Sequence, residues 1–107
     1  MTNLTPIEEK IMLKLWSLEE ATVQQLLDLY EDPKPAFNTV STQIRILEKK
    51  KVVGHRKKGR GYIYFPKIDQ LSYQNYLIEH VKNSYFNGST NELISHLSAT
   101  RSINDFL

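Results

Sequence analysis

The sequence predicts a mostly α fold with one small β-hairpin (α+β), followed by further helices. Apolar residues recur at helical spacing in three successive segments before residue 50. The stretch RKKGRGYIYF at 56–65 then places two glycines before alternating aromatic and β-branched residues, as in a hairpin. Helical periodicity returns near residue 69. We therefore expect one domain over residues 1–67 and a helical region over residues 68–107.

The first two helices are each predicted by a capping-box spacing. Thr5-Pro6-Ile7-Glu8 combines that spacing with proline at the first helical position, where the missing N–H costs nothing. Thr22-Val23-Gln24-Gln25 repeats it, and the prolines of Asp32-Pro33-Lys34-Pro35 stop the second helix. The residues expected to be buried are Ile7, Ile11, Met12, Leu15 and Trp16 on the first helix and Leu26, Leu27 and Tyr30 on the second.

The third helix is predicted to bury one face and to present a polar one. Its apolar stripe consists of Phe37, Val40, Ile44 and Leu47. A merely solvated face would carry interleaved Glu and Lys pairs, whereas this one carries short hydroxyl and amide side chains followed by cations. Such residue types meet base edges and phosphates in a major groove. The polar face holds Asn38, Thr42, Arg45, Ile46 and Lys49, with Thr39 and Ser41 at its sides.

A β-hairpin with a basic tip follows the third helix. The first strand is expected from Val52 to Lys57, the turn at Lys58-Gly59-Arg60-Gly61 and the second strand from Tyr62 to Phe65. Alternation along the second strand places its two tyrosines on one face and Ile63 with Phe65 on the other, and one face is expected to pack on the helices.

The net charge of +2 conceals a strong asymmetry along the chain. Residues 1–33 have a net charge of −5, residues 34–67 of +9 and residues 68–107 of −2. A concentrated block of cations is typical of nucleic-acid-binding surfaces, although it also occurs as a solvated face.

The helical region carries more apolar surface than one helix needs for a single seam. A helix is expected from Asp69 or Ser72 to Phe86, Asn87-Gly88 breaks it, and Ser89 to Glu92 has a third capping-box spacing. Without a core of their own, two such helices would bury their apolar faces against a second copy, or else pack back on the same domain. The candidate dimerisation residues are Tyr73, Tyr76, Leu77, Val81, Tyr85, Leu93 and Leu97.

Helix, helix, turn, helix and hairpin is the order of a winged helix-turn-helix. Beyond this order, the strings LTPIEEKIMLKLW, ATVQQLL, NTVSTQIRILEKKKVV, GRGYIYFP and YFNGSTNELISHL resemble the penicillinase and methicillin-resistance repressors of the BlaI/MecI/CopY type over nearly the whole chain. The resemblance implies a winged-helix DNA-binding domain at 1–67, a dimerisation region at 68–107, and a cytoplasmic repressor that binds palindromic operators as a homodimer.

The resemblance also assigns residues. The third helix corresponds to the recognition helix, and its matching positions are Thr39, Ser41, Thr42 and Arg45. The hairpin corresponds to the wing, and its matching positions are Lys57, Lys58 and Arg60. The family often has a basic side chain where this chain has Ser41. In the penicillinase branch a regulatory protease cuts an Asn-Phe bond, and the matching pair here is His96-Leu97. The tail RSINDFL is short where relatives continue with another helix.

Several classes of function are excluded or disfavoured by the residues. No cysteine is present, which excludes the copper sensing of some relatives, any thiolate metal site and any cysteine nucleophile. His55, His80 and His96 are scattered without metal-ligand spacing, and no phosphate-binding glycine pattern precedes a helix. No apolar run is long enough to span a membrane. We therefore expect no enzyme, cofactor, metal or membrane partner, and a cytoplasmic location.

The sequence thus favours a homodimeric repressor that reads double-stranded DNA carrying an inverted repeat. In this hypothesis Asn38, Thr39, Ser41, Thr42 and Arg45 contact base edges or phosphates. Lys49, Lys57, Lys58 and Arg60 hold the flanking backbone. The alternative is a winged-helix protein-interaction module. In it the basic third of the chain, residues 34–67, recruits an acidic partner, and DNA affinity is non-specific.

Overall fold

The computed structural model describes residues 3–100, and the tail RSINDFL at 101–107 lies outside them. The described residues form five helices and one two-stranded antiparallel sheet, which confirms the mostly α fold class with a single hairpin. In chain order the elements are α1 (Pro6–Leu18), α2 (Val23–Asp28), α3 (Phe37–Lys49), β1 (Val53–Lys58), β2 (Gly61–Pro66), α4 (Gln70–Tyr85) and α5 (Thr90–Thr100).

Both capping boxes form as the sequence predicts. The backbone N–H of Thr5 donates to Glu8 Oε1 at 2.8 Å, and the N–H of Glu8 donates to Thr5 Oγ1 at 3.2 Å. Thr22 and Gln25 exchange the same two bonds at the start of α2. Each box satisfies donors that a helix start would leave unpaired. Both starts are therefore set by local sequence.

The core lies where α1, α2 and α3 meet the hairpin. Its largest fully buried side chains are Ile11, Met12, Leu15, Leu26, Val40, Ile44, Leu47 and Val53. Trp16, Leu27 and Tyr30 pack against this cluster while partly buried.

Two residues predicted for the core are exposed instead. Ile7 is 56% exposed and Phe37 is 47% exposed. Each lies in the first turn of its helix, where the apolar stripe runs past the neighbouring elements. Periodicity gives the side of a helix that is buried but not the length over which it is covered.

The hairpin has a two-residue loop, Gly59-Arg60, closed by the pairing of Lys58 with Gly61. Gly59 adopts a φ of +62°, a conformation that glycine tolerates and other residues rarely adopt. The strands extend one residue further into the tip than the sequence indicates. The loop therefore carries Arg60 at its end.

Tyr64 belongs to the core formed with α1, α2 and α3, in agreement with the expectation that one face of β2 packs on the helices. Ile63 on the opposite face is buried as well, whereas Tyr62 near the tip is 45% exposed. Ile63 is 6% exposed and Tyr64 is 5% exposed. Tyr64 also exchanges two backbone hydrogen bonds with Ala21, of 2.8 and 2.9 Å, in an antiparallel bridge. This bridge attaches the hairpin to the segment between α1 and α2, and sequence alternation cannot reveal it.

The chain divides into two compact units between Gln70 and Leu71. The Trp16 indole N–H donates to the Ile68 carbonyl at 2.9 Å, which fastens the residues after β2 to the first unit. In the second unit α4 ends before Asn87 and Gly88, both at positive φ. Ser89 Oγ accepts the N–H of Glu92 at 3.1 Å, which forms half of the predicted third capping box.

Glu8 joins the first capping box to the end of α3. Its Oε1 accepts a hydrogen bond from Lys50 Nζ at 2.7 Å, and the carboxyl is buried. Burial by itself raises the pKa of Glu8, but the hydrogen bonds from Lys50 and Thr5 and the charge of Lys50 outweigh it. The pKa therefore lies below its ordinary value of 4.5. A depressed carboxyl pKa stabilises the fold above the unfolded-state value, and this stability is lost as the pH falls through the folded-state value.

We predict that Glu8→Gln lowers the free energy of unfolding by about 1–2 kcal/mol at neutral pH. The deficit should shrink as the pH falls below 4.5, where the carboxyl becomes protonated in the unfolded chain, and should disappear once the pH is also below the lower folded-state value. Urea unfolding at neutral and acidic pH measures both values. Glu9→Gln makes the same charge change in the same turn, and at neutral pH it should lower the free energy of unfolding by less than Glu8→Gln, because Glu9 has no ion pair in the described chain. An unchanged Glu8→Gln deficit at acidic pH would contradict this account.

Candidate nucleic-acid interface

The polar face of α3 points outward because the opposite face is buried in the core. Val40, Ile44 and Leu47 are fully buried. At ~100° per residue, Thr42 stands almost opposite the middle of this stripe. The predicted contact residues Asn38, Thr39, Thr42, Arg45 and Lys49 are all exposed. Five of the six α3 candidates thus share one accessible face.

Ser41, the sixth α3 candidate, does not fit a direct contact. It is 7% exposed, and its Oγ accepts a hydrogen bond from Arg45 Nη2 at 3.1 Å. The four-residue spacing places the two side chains one turn apart on the same side of the helix. Ser41 therefore orients the Arg45 guanidinium. The sequence placed Ser41 at the side of the polar face because it could not show that this side faces a groove lined by the start of α2 and by the hairpin.

Acidic partners neutralise some cations of the basic third and leave the others available. Of its ten cations, only Lys50 and Arg56 form ion pairs within residues 3–100, with Glu8 and Glu20 respectively. Lys34 instead donates to the carbonyl of Asp28 at 3.1 Å. The cations without an ion pair in the described chain are Lys34, Arg45, Lys49, Lys51, Lys57, Lys58, Arg60 and Lys67.

Arg56 and Glu20 form a bidentate pair, with N···O distances of 2.6 and 2.9 Å. The hydrogen bond from Arg56 holds the pKa of Glu20 below its ordinary value, and the same bond raises the pKa of Arg56. The charge of Lys58 also lowers the pKa of Glu20, so Lys58 lies in the field of this carboxylate. Lys57 is the adjacent residue on the opposite face of β1. Lys57 is therefore the less compensated of the two wing lysines.

A groove of about 590 Å³ separates α3 from the wing and from the start of α2. Phe37 and Arg45 line it from α3, and Tyr62 lines it from β2. Glu48 and His55 also line the groove and are joined by a hydrogen bond between Oε2 and Nδ1. The His55 ring meets the Tyr62 ring edge-on, with centroids 4.9 Å apart. The Glu48–His55 hydrogen bond thus joins α3 to the wing.

Two of the three histidines contact other side chains. His55 is engaged with Glu48, and the His96 ring lies 5.3 Å from the Phe86 ring. Within residues 3–100, no three His, Asp or Glu side chains are grouped so that they could hold a metal ion. The described helices include none that is long and apolar enough to cross a membrane.

The helices of the second unit expose a row of large apolar side chains. Leu71 is 63% exposed, Ile78 is 55% exposed and Tyr85 is 76% exposed. Their spacing of seven residues places them on one side of α4, with Val81 beside them. Ile94 and Leu97 are exposed on α5. The sequence pattern counted Ile78 and Ile94 among the apolar residues of these helices but not among the candidate dimerisation residues, and it did not include Leu71, because it followed the four-residue spacing from Tyr73.

Tyr73 does not fit the dimerisation surface predicted for it. It is 3% exposed in the single chain, and its ring stacks on Tyr76 with centroids 5.7 Å apart. A side chain already buried has almost no area left to bury against a partner. Among the other candidates, Tyr76, Leu77 and Leu93 are partly buried, and Val81, Tyr85 and Leu97 are exposed.

Comparison with known proteins identifies this arrangement. The penicillinase repressor family profile matches residues 4–105. The penicillinase repressor of Bacillus licheniformis is 24% identical over 93 residues, which cover 86% of this chain and 73% of that protein. These matches agree with the exposed polar face of α3 and with the basic hairpin, because both features suit contact with DNA. The chain therefore belongs to the penicillinase repressor family and is a DNA-binding transcriptional repressor rather than an enzyme.

Proposed function

We propose that the protein represses transcription as a homodimer bound to an inverted-repeat operator. The observation that carries this proposal is the joint exposure of the α3 polar face and of wing cations that lack an ion pair in the described chain. The helix supplies hydroxyl, amide and guanidinium groups for base edges, and the wing supplies charge for the backbone.

In this proposal α3 enters the major groove. Arg45 donates to a guanine or to a phosphate, with its guanidinium held by Ser41. The short side chains of Asn38, Thr39 and Thr42 contact bases or phosphates nearer the start of the helix. Ser41 thus acts on DNA through Arg45.

The wing and the end of α3 grip the flanking backbone in the same proposal. Lys49, Lys57, Lys58 and Arg60 neutralise phosphates, and each neutralised phosphate releases counterions. Gly59 permits the sharp turn that brings Arg60 to the tip. The groove between α3 and the wing separates the wing cations from the contacts made by α3.

The second unit joins two copies through the exposed faces of α4 and α5. The row of Leu71, Ile78 and Tyr85 resembles the seam by which helices pair in coiled coils. Burial of such side chains contributes about 1.5–3 kcal/mol each. Two recognition helices related by a two-fold axis then read half-sites about one or two helical turns apart.

A regulatory protease is proposed as a further partner. The His96-Leu97 bond lies inside α5, and both residues are exposed. A protease binds its substrate in extended form, so α5 must unwind locally before the cut. Cleavage there would remove part of the apolar surface that we assign to the dimer.

The decisive experiment measures fluorescence anisotropy on a duplex selected by the protein from a random pool and on a scrambled duplex, at several salt concentrations. A specific repressor prefers the selected duplex by about 10³-fold or more, with a steep salt slope and two subunits per duplex. Equal weak binding to both duplexes would overturn the proposal and favour the alternative of a module for an acidic protein partner.

Base contacts and backbone contacts should respond differently to mutation. We predict that Arg45→Ala costs about 1–3 kcal/mol on the selected duplex and relaxes preference at one base pair. Lys57→Ala should weaken binding to all duplexes alike and reduce the salt slope by about one unit. The same anisotropy titrations measure both effects.

Arg56→Ala is the matched control for the wing, because Arg56 is adjacent to Lys57 and already paired with Glu20. Its effect on the salt slope should be smaller than that of Lys57→Ala. Identical behaviour of the Arg45 and Lys57 variants on every duplex would show that these role assignments are wrong.

The dimer surface has its own test. We predict that Ile78→Lys converts the dimer to a monomer, because a charge would replace a side chain buried between the two copies. Sedimentation equilibrium measures the change in mass. Asn83→Lys adds the same charge to another side of α4 and should leave the dimer intact. A dimer that survives Ile78→Lys would contradict the assigned surface.

A further inference from the structure

One large apolar side chain stands within the polar face of α3. Ile46 is 42% exposed. On the helix it lies about 40° from Thr42, the centre of that face, with Arg45 on the other side of the centre. Lys49 follows it by one turn. Ile46 is thus surrounded by the residues to which we assign DNA contacts.

A single exposed isoleucine is ordinary on a protein surface, so its position must carry the argument. The other exposed large apolar side chain of α3, Phe37, lies about 180° away around the helix and lines the groove to the wing. The β-branch of Ile46 gives it a lower helix propensity than lysine or glutamate at the same exposed site. Neither the core nor helix propensity accounts for isoleucine at this position.

The major groove offers one apolar feature that such a side chain can recognise. Thymine presents its C5 methyl group there, and cytosine has only hydrogen at that carbon. Isoleucine has a stiff χ1, so little rotamer freedom is lost when it is held against a methyl group. Its contact discriminates thymine from cytosine without any hydrogen bond.

We infer that Ile46 reads a thymine in each half-site through the C5 methyl group, beside the base or phosphate contacted by Arg45. This inference rests on the proposed DNA binding and adds a specificity-determining residue to it. Ile46 supplies apolar contact only. The hydrogen-bonding side chains around it set the register in which the methyl group is met.

The test replaces thymine with deoxyuridine, one position at a time, in the duplex selected by the wild-type protein. This substitution removes the methyl group and retains base pairing and the O4 acceptor. For the wild type we expect one thymine per half-site whose replacement weakens binding about four-fold, as for one buried methyl group. For Ile46→Ala the same replacement should have no effect.

Two controls complete the cycle of protein and DNA changes. Ile7→Ala truncates another exposed isoleucine, on α1, which is 56% exposed against 42% for Ile46, and should retain the full sensitivity to deoxyuridine. At the sensitive position, a 5-methylcytosine·guanine pair should bind the wild type more tightly than an unmethylated cytosine·guanine pair. Ile46→Ala should not distinguish these two pairs.

The outcomes separate this inference from the proposal on which it rests. A wild-type protein that selects no sequence overturns the proposed function and the inference together. Sequence selection without sensitivity to any thymine methyl group overturns the inference alone. Sensitivity that persists in Ile46→Ala at the same position also overturns it, because another residue would then contact the methyl group.

Discussion

The rotation of α3 about its own axis is the constraint on which the rest of this structure depends. Burial of Val40, Ile44 and Leu47 contributes about 1.5–3 kcal/mol for each side chain, and any other rotation would expose one of them. The opposite face is thereby directed outward, with Thr42 at its centre. The position of Arg45 depends on this rotation together with its hydrogen bond to Ser41.

The wing is positioned by contacts with two other parts of the first unit. The Ala21–Tyr64 bridge attaches β2 to the segment between α1 and α2. The Glu48–His55 hydrogen bond attaches β1 to α3. Because these attachments involve different strands, they hold the hairpin against both the core and the recognition helix.

The few acidic partners of the basic third contribute little to stability. They matter more because they determine where positive charge is left without an ion pair. Exposed ion pairs such as Arg56–Glu20 contribute little to the stability of a fold, because solvent and salt screen them. Their consequence is that Arg56 is neutralised within β1, whereas Lys57 and Arg60 have no ion pair in the described chain. Charge is therefore concentrated toward the tip and along the end of α3, which suits a surface that grips a phosphate backbone.

The sequence by itself determined the features that depend on near neighbours in the chain. Helix starts at Thr5 and Thr22, the break at Asn87-Gly88, the hairpin and the polar face of α3 all follow from spacings of a few residues. Only the tertiary structure decided which side chains are covered. Ser41 and Tyr73 are buried, and Ile7 and Phe37 are exposed, because burial depends on elements distant in sequence. The Ala21–Tyr64 bridge and the Arg56–Glu20 pair each join residues more than thirty positions apart in the sequence. Because of this separation, no local pattern encodes them.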